Sequence, residues 1–174
     1  IELEGTYPLP EAQLDRFMFE IAIEHLEEAE ELEVIRSTTG NLKPEFNHAV
    51  TGPDLIAFKE LVRRVPVSES VLRYAVSLVR MSRPSPNGDS PDFVNKWIAY
   101  GASPRAAQYL VLGAKARALT AGRYHVTFED IRALAQPVLR HRVLTNFHAE
   151  SEGKTSSALV DMLLEQVPLP SSGM

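Results

Sequence analysis

One stretch of the chain reads differently from everything around it. Phe17, Phe19, Ile21 and Ile23 alternate with Met18, Glu20, Ala22 and Glu24, the period of a β-strand with one apolar face. Nothing else in the sequence alternates convincingly. A single strand leaves its backbone N–H and C=O groups without a ladder, so its partners are expected in another part of a longer polypeptide or in a second chain. The alternation therefore predicts that the amino end is the remnant of an α/β domain.

The segment before the strand reads as a loop entering a short helix, with Pro10 suited to a first helical turn because its missing N–H has no partner there. After the strand, residues 26–38 predict a glutamate-rich helix with Leu26, Ala29, Leu32 and Ile35 as its inner stripe. Gly40-Asn41 ends it, and residues 41–52, with Pro44 and Gly52-Pro53, read as a linker.

From Asp54 the pattern is helical. The first helix runs to about Arg64, with Leu55, Phe58, Leu61 and Val62 inward. Ser68 is a candidate N-cap for the next, and Val67 with Leu72 has the spacing of a hydrophobic staple. Residues 84–91 form a Pro/Ser/Asn/Gly loop. Ser103 as N-cap and Pro104 as first helical residue place Arg105 at the second helical position of a helix stopped near Gly122. Thr127 caps a helix reaching roughly Arg142, and a last amphipathic helix lies near 157–166.

Composition sets limits on function. There is no cysteine among the 174 residues, which excludes disulfides and thiolate metal sites and fits a reducing, cytoplasmic setting. The apolar runs are too short to span a membrane. His25, His48, His125, His141 and His148 have no metal-site spacing. Residues 1–60 carry 14 acidic and 4 basic side chains, whereas residues 61–174 carry 9 acidic and 14 basic. The basic half suits phosphate or an acidic neighbour, yet five net charges over that length are too few for a nucleic-acid footprint. Arg140-His141-Arg142 alone does not change that, and His141 reads as a solvated or interface residue. Tyr74 and Tyr109 read as core rather than as adenine neighbours.

Arg105 sits where free backbone N–H groups gather, so a bound anion would suit it. Arg16 ends a short helix and enters the strand, which fixes its backbone. On spacing alone the plainer readings are favoured: Arg105 extends into water, and Arg16 partners Asp15, Glu11 or another surface carboxylate.

The surrounding residues say more. Glu4-Gly5-Thr6-Tyr7-Pro8-Leu9-Pro10-Glu11-Ala12-Gln13-Leu14-Asp15-Arg16-Phe17 resembles the segment after the sensor-1 asparagine of MoxR-family AAA+ ATPases. Val67-Ser68, Tyr74-Ala75-Val76, Gly101-Ala102-Ser103-Pro104-Arg105-Ala106 and Val126-Thr127-Phe128-Glu129-Asp130-Ile131 resemble that family's helical lid, and Leu139-Arg140-His141-Arg142 its closing helix.

The resemblance implies a mainly α fold, a helical AAA+ lid of about four helices preceded by a remnant helix-strand of an α/β P-loop ATPase core. Its divisions are expected at 1–24 (core remnant), 25–52 (connecting helix and linker), 53–143 (lid) and 144–174 (tail with a short helix). It implies that Arg16 is an arginine finger acting on a neighbouring subunit's γ-phosphate, and that Arg105 is sensor 2, acting in its own subunit and contacting the nucleotide. It further implies ATP and Mg²⁺ as cofactors of the parent enzyme, a homo-oligomeric, often hexameric ring, and von Willebrand factor A-domain partners in remodelling or maturing other proteins.

The phosphate loop of such an enzyme, G-x-x-x-x-G-K-[ST], is not in this sequence. Gly153-Lys154-Thr155 ends like one, but His148 stands where the first glycine belongs. The acidic run that would hold Mg²⁺ is missing too, and the sensor-1 asparagine is expected just before Ile1. The polypeptide as written is thus expected to be part of an ATPase and not to hydrolyse ATP by itself. The competing expectation is a free-standing helical module that binds a protein partner through its acidic leader and basic helical face.

Overall fold

The computed structural model describes residues 9–41, 47, 49–85, 88 and 90–169. The motif residues Glu4–Pro8, together with Pro44, His48, Pro86, Asn87, Asp89 and Pro170, lie outside the described residues. A short α1 (Glu11–Leu14) is followed by α2 (Glu28–Thr39), α3 (Gly52–Arg64), α4 (Glu69–Met81) and α5 (Asp92–Trp97). Then come β1 (Ile98–Tyr100), α6 (Pro104–Thr120), α7 (Phe128–Ala133), α8 (Ala135–Leu139), β2 (Leu144–Thr145), α9 (Phe147–Ser151) and α10 (Ser156–Gln166). No helix among them is long and apolar enough to cross a membrane.

Helix α6 is the axis of the core. Ala106, Leu110, Gly113, Ala114 and Ala118 form its buried stripe, and four of these five are small, so neighbouring helices approach closely. Tyr74, Ala75, Leu78 and Val79 of α4 face it from one side, and Ile131, Ala135, Val138 and Leu139 of α7 and α8 from another. Residues 144–174, read as a tail, supply Leu159, Val160 and Leu163 of α10 to the same core. Tyr74 is a core residue: its ring meets Phe128 edge-on at 5.5 Å, and its hydroxyl accepts from Arg132 at 3.0 Å.

The helix boundaries follow local chemistry. Ser68 accepts the Val71 N–H, and Gly122, at φ +69°, turns the chain out of α6, a left-handed position that costs glycine little. The helix expected from Thr127 to Arg142 is broken at Leu134. Pro137 is the cause, because it has no N–H to offer the carbonyl four residues back and its ring crowds that turn. Thr127 and Asp130 form a reciprocal capping box at the start of α7. The fully buried Asp130 also accepts from Arg117 at 2.7 Å and from Arg123 at 2.7 and 2.5 Å.

Three expectations are corrected. Residues 17–23 form no strand; they run as a bend and then irregular chain with no ladder partner among the described residues. The strands that do form, β1 and β2, pair antiparallel and are too short to show an alternating pattern. The inner stripes expected for α2 and α3 are exposed at Leu26, Leu32, Ile35, Leu55, Phe58 and Leu61, although α3 meets α6 and Val62 is half-buried; amphipathic pattern and burial part company there.

Candidate functional site

The Gly101-Ala102-Ser103-Pro104-Arg105 sequence is explained residue by residue. A Cβ on Gly101 would collide with the Ser82 carbonyl oxygen and lie 2.6 Å from Arg83 Cα. Only glycine lets this chain pass against the end of α4. Buried Ala102 then donates its N–H to Ser82 Oγ at 2.9 Å, while its carbonyl accepts from Arg83 Nε at 2.8 Å. Ser103 caps α6 by accepting the Arg105 N–H at 3.2 Å, and Pro104 occupies the first turn. Arg105 thus leaves a rigid corner at the second position of the helix.

Gly101→Ala should destabilise the protein by about 1–3 kcal/mol, because the obstructing atoms are backbone and cannot step aside. Urea unfolding checks this, and a variant as stable as the parent would contradict the close approach.

The guanidinium of Arg105 meets Asp15, its NH1 donating to Oδ2 at 2.8 Å. Ser103 Oγ donates to the same carboxylate, 3.0 Å from each oxygen. The other main partner is Arg142, whose Nε donates to Oδ1 at 3.0 Å. Burial acts to raise the Asp15 carboxyl pKa, but Ser103, Arg142 and Arg105 together hold it below its ordinary value.

Arg142 is almost wholly enclosed, with its side chain 1% exposed and its guanidinium over the Tyr109 ring at 5.2 Å. It also donates to the backbone carbonyls of Asp15 (2.8 Å), Phe17, Met18 (3.4 Å) and Val138. Tyr109 donates its hydroxyl to the Arg16 carbonyl at 3.0 Å, and His141 Nε2 lies 3.2 Å from the Phe17 carbonyl.

Carbonyls 15 to 18 are therefore satisfied by side chains of the helical domain instead of by a neighbouring strand. A single further backbone bond, Glu20 N–H to the Pro137 carbonyl at 2.8 Å, ties the segment down beyond them. This is why the segment settles without a sheet. Met18 and Phe19 close the joint by lying over Gly113 of α6.

His141 belongs to this interface and is not a solvated residue; its side chain is 5% exposed. Burial and the adjacent Arg142 charge lower its pKa, against smaller opposing effects of Phe17, Glu20 and Asp15. The Arg16 side chain is exposed and makes no hydrogen bond or ion pair among the described residues. Arg16 and Arg105 do not touch; Asp15 stands between them in the sequence of contacts. Asp15, Ser103, Arg142 and Tyr109 are the members of the site that spacing did not single out as functional.

A hollow of about 250 Å³ lies beside the hub, lined in part by Glu11, Asp15, Ser103 and Arg142. A larger one, about 490 Å³, opens along α4 among Arg73, Arg80 and Arg83, away from Arg16 and Arg105. Among the described residues no cluster of His, Asp or Glu could hold a metal ion.

Residues 93–163 match the family model of the AAA lid domain. Chaperone MoxR1 of Mycobacterium tuberculosis is 34% identical over 170 residues, covering 98% of this chain and 45% of that protein. Protein MoxR of Paracoccus denitrificans is 28% identical over 188 residues, covering 99% of this chain and 54% of that protein. The crystal structure of a candidate ATPase from Cytophaga hutchinsonii superposes with a TM-score of 0.90 at 37% identity, over 98% of this chain and 52% of that one.

The helical domain is thus an AAA lid. By its kinship along nearly its whole length, the chain belongs to the MoxR family of AAA+ proteins. It spans about half the length of the curated relatives it matches.

Proposed function

We propose that this chain is the lid-bearing, phosphate-sensing part of a MoxR-type ATPase that binds ATP and Mg²⁺ and uses hydrolysis to remodel or mature partner proteins. In this reading Arg105 reaches the γ-phosphate held in its own subunit, and Arg16 reaches the one held by its neighbour in a ring, hexameric by family expectation. Proteins with von Willebrand factor A domains are the expected partners. Arginine suits both tasks, because its planar fork matches phosphate oxygens and stays charged.

The observation that carries the reading is that Arg105 is held by the residue that precedes Arg16 in the chain. Asp15 bonds Arg105 and immediately precedes Arg16, in a chain that is similar to chaperone MoxR1 over 98% of its own length. Phosphoryl transfer depends mainly on positioned charge, and these residues supply charge on a rigid frame. The described residues offer an arginine for phosphate but no clustered carboxylates for Mg²⁺, so no metal step is assigned to them.

The test is a chimera in which this chain replaces its counterpart in chaperone MoxR1. It should hydrolyse ATP, and Arg105→Gln should lower kcat/KM by roughly 10- to 100-fold, the worth of a charge-assisted hydrogen bond or two. Unchanged turnover in that variant would remove the sensor role. The second reading, a helical protein-interaction module, draws on the exposed, acidic α2. A folded chimera that hydrolyses no ATP would favour it.

A further inference from the structure

Asp15 is shared by two arginines of unequal character. Arg142 is enclosed and spreads its donors over the Asp15 side chain and several carbonyls, so it cannot leave without stranding buried groups. Arg105 is 42% exposed and commits only NH1, to Asp15 alone. Of the five N–H donors of a guanidinium, its others have no partner among the described residues.

We propose that Asp15 is a positioning latch on Arg105. Its carboxylate holds the guanidinium when no phosphate is present, and a phosphate that captures Arg105 removes one contact from the residue next to Arg16. This rests on the reading of Arg105 as a phosphate-binding arginine, and deepens it by naming what Arg105 must give up.

The exchange is cheap in the right place. When Arg105 turns away, Asp15 keeps Arg142 and both Ser103 contacts, so no unpaired charge is left behind. A half-exposed ion pair of this kind is weak, whereas a phosphate offers the guanidinium a bidentate, doubly charged partner. Because Asp15 competes with the anion for Arg105, the apparent affinity of the anion falls by the fraction of Arg105 that is held. Release at Asp15 then acts one residue from Arg16, whose own carbonyl is tied to Tyr109.

The test titrates the ¹⁵N-labelled 174-residue chain with sodium tripolyphosphate, following arginine Nε–Hε and backbone resonances. Asp15→Asn should tighten binding roughly fivefold, in line with an exposed-pair contribution. In the parent chain, binding should move the backbone resonances of residues 15–18, and Arg105→Gln should abolish that movement. Glu11→Gln, which removes a nearby charge without touching Arg105, should change affinity less than about twofold. Asp15→Ser gives a second, smaller replacement should the amide disturb the fold.

Equal affinity for the parent and the Asp15 variants, or no detectable binding by any of them, overturns the latch. So does an equal gain in Glu11→Gln, which would reduce the effect to net charge. If both parent and Asp15→Asn bind equally and Arg105→Gln abolishes binding in each, the latch fails while the phosphate reading of Arg105 stands. A gain that persists in the Asp15→Asn/Arg105→Gln double variant removes the phosphate reading itself.

Discussion

Replacing Arg16 with alanine in the MoxR1 chimera should cut ATP turnover about a thousandfold while leaving nucleotide affinity within about threefold. The expected size comes from arginine fingers in general, which are worth about 10³–10⁵ in rate. The selectivity comes from this structure. The Arg16 side chain has no hydrogen bond or ion pair among the described residues, whereas its carbonyl is held by Tyr109. Truncation therefore removes a cation that has no partner among the described residues and leaves the frame in place. If the arginine serves a neighbour, adding Arg16→Ala subunits to the parent chimera should depress turnover in mixed rings. Turnover that survives in the pure variant would sink the finger assignment.

Asp130→Asn should destabilise the fold by about 3–5 kcal/mol, the usual consequence of removing one partner of a buried ion pair. Asp130 is fully buried and accepts from Arg117, Arg123 and both the N–H and hydroxyl of Thr127. For a domain of this size that corresponds to a Tm lower by roughly 10 °C. Burial acts to raise the Asp130 carboxyl pKa, but the bonds from Arg123, Thr127 and Arg117 overcome it and hold the pKa far below the ordinary 3.8.

A depressed folded pKa fixes the pH dependence. The contribution is complete above 3.8, where the unfolded carboxylate is already ionised, and is lost as pH falls towards the folded value. The stability gap between parent and Asn variant should therefore stay constant at neutral pH and narrow in acid. A neutral-pH loss below about 1 kcal/mol would show that the Arg117–Asp130–Arg123 cluster is dispensable.

Local chemistry was legible and distant pairing was not. Ser68, Ser103, Thr127 and Gly122 mark helix ends where the structure has them, because a cap is decided within a few residues. The placement of Arg105 at the start of α6 follows from Ser103 and Pro104 in the same way. Asp15 and Arg142 are 127 positions apart, and no periodicity links them.

Residues 17–23 show the opposite error. Alternation was real, but a strand is a property of two segments, and here side chains of Arg142, Tyr109 and His141 took the carbonyls first. The inner stripes expected for α2 and α3 lie exposed, because a periodic apolar pattern names a face and not what covers it.

The row of carbonyls at residues 15 to 18, each gripped by a side chain of the helical domain, has a mechanical consequence. A strand bonded to a sheet moves with that sheet; this segment is geared to the lid. Any rotation of the helical domain as a rigid body carries the Arg16 backbone with it, so in the proposed ring the reach of that arginine would be set by lid angle. The joint behaves as a crank, with Arg142 as its pin.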